Sequence, residues 1–63
     1  MYYIVEESSM LVKDMVQYTI CSDEEQMNAI IDGSGFTFAD GYGPMSKEEV
    51  FKWMAENVTV PKL

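Results

Sequence analysis

The chain has no histidine and no arginine, a single cysteine, and only four lysines against eleven acidic residues in 63 positions. Each shortage closes a route. Without histidine there is no imidazole to serve as general base or metal ligand, and one cysteine can neither close an internal disulfide nor hold zinc. Cys21 stands just ahead of a predicted helix, but Asp23, Glu24 and Glu25 would raise its pKa and no base is available to activate it. Paired carboxylates could act as acid and base, although a chain this short promises no deep cleft around them. The expectation is a protein that is not an enzyme and carries no cofactor or metal.

Long apolar runs are also missing. No segment approaches the roughly 18 residues that a membrane span requires. Residues 1–5 are too short for a signal-peptide hydrophobic region and have no positive leader, so a cytoplasmic location is expected, with the free cysteine in keeping. A formal charge of −7 repels phosphate backbones and anionic membranes, which argues against direct nucleic-acid or membrane binding.

What is present suffices for folding. A hydrophobic content of 48%, with eight aromatic residues, supplies enough apolar surface to drive collapse despite the charge. Residues 1–63 fit one small domain that buries only about 60% of its unfolded surface, so its stability margin is thin.

Residues 2–5 are aromatic and β-branched, and Val16, Tyr18 and Ile20 alternate with Gln17, Thr19 and Cys21; the two stretches read as a hairpin. Its connection is apolar for a loop at Met10, Leu11 and Val12. Ser22 followed by Glu25 reads as a capping box opening a helix to about Asp32, with Met27, Ile30 and Ile31 as its buried stripe and Gly33 as its stop. Phe36 and Phe38 suggest a short third strand that ends in a turn at Asp40-Gly41. Ser46 and Glu49 form a second capping box, with Met45 and Val50 as a hydrophobic staple. On that helix Val50, Phe51, Met54, Ala55 and Val58 share one face, and Trp53 lies at its edge; Pro61 ends regular structure.

The result is an α+β fold, β-β-α-β-α, with a three-stranded antiparallel sheet in the order 2-1-3 given by a right-handed crossover. With both helices on one face, the other would be bare. One of Tyr2 and Tyr3 would then point outward.

The glycine pairs in "GSG" (residues 33–35) and "GYG" (residues 41–43) look like pieces of phosphate loops but lack the lysine and the surrounding unit, so they read as turns and caps. Asp32-Gly33-Ser34 begins like a calcium loop, yet the position of its final glutamate is Gly43.

Charge is unevenly spread. Asp14, Asp23, Glu24, Glu25, Asp32 and Asp40 follow one another with no intervening base, and such a field attracts a basic protein surface. Tyr2, Tyr3 and Trp53 are the candidate contact aromatics beside these acids. In length, acidity, lack of catalytic residues and β-β-α opening, the chain resembles the small proteins that bacteriophages and mobile elements encode against host machinery, anti-CRISPR proteins among them. That resemblance implies a non-enzymatic inhibitor that binds the nucleic-acid groove, or another site, of a larger host protein. The alternative is a homodimer or higher homo-oligomer serving interaction or assembly, built through an exposed sheet face or the loop at residues 10–12.

Overall fold

The computed structural model describes residues 1–11 and 15–58. Five elements follow in the expected order: β1 (Tyr2–Ser8), β2 (Val16–Cys21), α1 (Glu24–Asp32), β3 (Phe38–Met45) and α2 (Lys47–Asn57). β1 pairs antiparallel with both other strands, giving the sheet order β2-β1-β3. Class, element order and strand order are those expected. The loop residue Val12, the acid Asp14 and the terminal Pro61 lie outside the described residues.

The helices take a different arrangement from the one expected. Ile4 and Val5 are both fully buried. Consecutive strand residues point to opposite faces, so a central strand that buries both must be covered on both sides. α1 covers the Val5 side, where Met27 and Ile31 close on Gly41. α2 covers the Ile4 side, where Ile4, Met45 and Val50 form a buried cluster joined by Tyr18, Tyr42, Trp53 and Met54. Burying each aliphatic side chain contributes about 1.5–3 kcal/mol, and splitting Ile4 and Val5 between two layers lets one short strand anchor both helices.

The third strand begins at Phe38 and runs through Asp40-Gly41, where a turn was expected, to Met45. Gly41 serves close approach instead of chain reversal, because a Cβ there would lie 2.6 Å from Met27 Sδ and 3.1 Å from Ile31 Cδ1. The irregular backbone comes later. Gly43 has φ 134° and is followed by a cis peptide to Pro44, and a Cβ on it would lie 2.8 Å from the Tyr2 carbonyl oxygen. Only glycine suits that conformation. Tyr2 stands opposite Met45 while Ile4 stands opposite Tyr42, so β3 spends an extra residue here as a bulge.

α1 starts one residue later than its predicted box. Asp23, not Ser22, is the N-cap: its Oδ1 accepts from the Gln26 backbone N–H at 2.7 Å, and Gln26 Oε1 accepts from the Ser22 N–H at 3.0 Å. A carboxylate makes the stronger, charge-assisted cap and also complements the helix dipole, which is why it displaces the hydroxyl. Gly33 closes the helix as expected, its N–H donating to the Ala29 carbonyl at 3.1 Å. α2 has the predicted capping box, with Glu49 N–H donating to Ser46 Oγ at 3.2 Å and Ser46 N–H donating to Glu49 Oε1 at 3.0 Å.

Candidate functional site

The acids singled out in the sequence are placed in three regions. Asp23, Glu24 and Glu25 sit at the N-terminal end of α1, which follows Cys21 and therefore lies at the Tyr3 end of the sheet. Asp32 closes the other end of that helix, nine residues on, or about 13 Å along its axis. Asp40 lies midway along β3, paired with Glu6 and so on the opposite, α2 side of the sheet. They do not make one continuous arc. Asp14 falls outside the described residues.

The α2 side carries the more unusual grouping. Glu6 on β1 has Asp40 directly opposite on one side and Tyr18 directly opposite on the other. Two carboxylates facing each other across a ladder repel and destabilise the pair. Glu6 is half-buried and Asp40 exposed. The negative field of Glu6 reaches both neighbouring phenols: burial pushes the pKa of Tyr18 and of Tyr42 up, and Glu6 adds to each shift, with Asp40 adding further at Tyr42. The lysines among the described residues, Lys47 and Lys52, belong to α2 and not to the sheet.

Aromatic rings wall this acidic pair on one side. Trp53 stands edge-on to Tyr18 at 5.8 Å between centroids and tilted against Tyr42 at 5.0 Å. The Tyr18 hydroxyl donates to the Asn57 carbonyl at 3.4 Å, which places the end of α2 over this point of the sheet. Beyond it, Phe38 is 51% exposed and Val16 44%.

Trp53 is half-buried and belongs to the core contact of α2, whereas Phe51, expected on the buried face, is 65% exposed. The face is rotated so that Val50, Trp53 and Met54 meet the sheet, because the indole can then rest on two tyrosines at once. Tyr2 and Tyr3 are divided by the two-sided sheet. Tyr2, on the α2 side, lines an apolar groove of about 170 Å³ with Ile20, Lys47, Val50 and Phe51. Tyr3, on the other side, is half-buried and packs closely against Gly43.

Other groups are structural. Glu7 is buried and accepts from the Ser34 hydroxyl at 2.6 Å, while that hydroxyl's oxygen accepts from the Phe36 N–H at 3.2 Å. The residues 33–35 thus hold one of the chain's own carboxylates. Cys21 is buried, and burial, followed by the charge of Asp23, pushes its thiol pKa up, which disfavours the reactive thiolate. Among the described residues no group of three or more His, Cys, Asp and Glu side chains could hold a metal ion, and no helix is long and apolar enough to cross a membrane.

Glu6, Tyr18 and Tyr42 were not recognised in the sequence as site residues. The available signal was the alternation of β2, which puts Tyr18 on the same side as Ile20; the first strand, read over residues 2–5, in fact continues through Glu6 and Glu7 to Ser8. Comparison with protein-family models, with curated proteins and with solved structures gives no match, so the site is argued from its own geometry.

Proposed function

We propose that this chain is a non-enzymatic protein-binding inhibitor that engages a basic surface of a nucleic-acid-binding protein, in the manner of the phage-encoded proteins it resembles. The observation that supports this reading best is the Glu6–Asp40 pair beside Tyr18, Tyr42 and Trp53. Facing carboxylates cost the free protein stability, and a lysine or arginine from a partner would relieve that repulsion. Guanidinium and ammonium groups also bind the faces of tyrosine and tryptophan. The acids at the two helix N-termini, Asp23, Glu24 and Glu25 on α1 with Glu48 and Glu49 on α2, lie at one end of the sheet and add long-range attraction.

The test uses the intact chain as bait beside a Glu6→Gln/Asp40→Asn double variant. The expected result is capture of a nucleic-acid-binding protein by the wild type, weaker capture by the variant and at high salt, and loss of the captured protein's nucleic-acid binding when the wild type is added. Capture that is indifferent to both substitutions and salt, or that leaves nucleic-acid binding intact, would refute the reading.

A further inference from the structure

The two edges of the sheet are built differently. β3 carries the devices that prevent another strand from pairing with it: the charge of Asp40, the bulge at Gly43 and the missing N–H of Pro44. β2 carries none of them. Its six residues, Val-Gln-Tyr-Thr-Ile-Cys, contain no charge, proline or glycine, and among the described residues no strand pairs with its outer side, which offers the backbone groups of an edge strand. Residues 15–22, eight in a row, form the longest run in the chain without Asp, Glu, Lys or Arg. Two apolar side chains, Ile20 at 51% and Val16 at 44%, remain exposed on it.

We propose that the β2 edge is where a second copy of this chain binds, extending two three-stranded sheets into one of six strands. Charge decides where two copies can meet. A molecule with a net charge of −7 repels its own copy over most of its surface, and the uncharged edge is where close approach meets the least like charge. The edge is also self-complementary. With a twofold axis between the two Tyr18 residues, antiparallel pairing sets Val16 opposite Ile20 of the second copy and Ile20 opposite its Val16, while Gln17 faces its Thr19 on the α1 side. Apolar thus meets apolar on one face, and polar meets polar on the other. The axis is perpendicular to the sheet, so both Glu6–Asp40 pairs fall on the same face of the dimer. The two Glu6 positions are then three strand spacings apart, about 14 Å.

The mass of the wild-type chain by sedimentation equilibrium tests this. The expected mass is twice 7.2 kDa, and it should fall to the single-chain value in Val16→Lys and in Ile20→Lys, both substitutions at exposed positions, with the fold checked by circular dichroism. A Val16→Cys/Ile20→Cys variant tests the register independently: oxidation should give a covalent dimer, whereas Phe38→Cys on the guarded edge should not. A wild-type mass of one chain up to millimolar concentration would overturn the proposal. So would a dimer that survives both lysine variants.

Discussion

Glu6 on the central strand stands directly opposite Asp40 on β3, two carboxylates in one cross-strand pair. Either Glu6→Gln or Asp40→Asn removes the repulsion while keeping a hydrogen-bond acceptor. Each should therefore stabilise the free protein, by about 0.2–1 kcal/mol in urea unfolding at pH 7 and low salt. The gain should shrink as salt rises. Loss of stability in both variants would mean that the pair is not strained, and the main support for a basic partner would go with it.

The displaced cap gives a sharp comparison. Asp23→Ala removes the acceptor that holds the Gln26 N–H and should cost about 0.5–2 kcal/mol, and Ser46→Ala should cost a similar amount on α2. Ser22→Ala should cost under about 0.5 kcal/mol, because it removes only the exposed 3.3 Å hydrogen bond that the Ser22 hydroxyl donates to Gln26 Oε1 and keeps the 3.0 Å bond from the Ser22 backbone N–H to the same oxygen. Equal losses for Ser22→Ala and Asp23→Ala would restore the serine as the cap.

Much of this could be read from short-range pattern. Alternation gave β2 its observed ends, and capping chemistry located both helix starts to within a residue. The strand order followed from element order. What escaped depends on distant pairing. Ile4 and Val5 read as part of a strand covered on one face, and only their joint burial reveals that the helices lie on opposite faces. The meeting of Glu6 with Asp40 is set by a register that the bulge at Gly43 shifts, and no local pattern announces that shift. Likewise, the rotation of α2 that brings Trp53 inward and leaves Phe51 outside is decided by two tyrosines on separate strands.

That rotation makes Trp53 first a fold residue. Trp53→Ala should cost about 3 kcal/mol, at the low end of the range for large aromatic truncations because the ring is only half-buried, and Phe51→Ala should cost under about 0.5 kcal/mol. Thermal unfolding of the two variants decides it. If Phe51→Ala proved the more damaging, the face of α2 would be the one read from periodicity alone.

The capping box of α2 also ties stability to pH. The Ser46 backbone N–H, then its hydroxyl, hold the Glu49 carboxyl pKa below its ordinary value of 4.5. Folding therefore favours the ionised form: the contribution is complete above the ordinary value and is lost as pH falls from there through the folded value. Glu49→Gln keeps an acceptor for the Ser46 N–H but cannot titrate. The melting temperature of the wild type should accordingly fall more steeply than that of the variant as pH drops below 4.5, with the two curves parallel between pH 6 and 8. The other carboxylates titrate in both proteins, so the difference between the curves isolates the cap. Curves that stay parallel down to pH 2, at equal ionic strength, would show that Glu49 does not stabilise the helix through its charge.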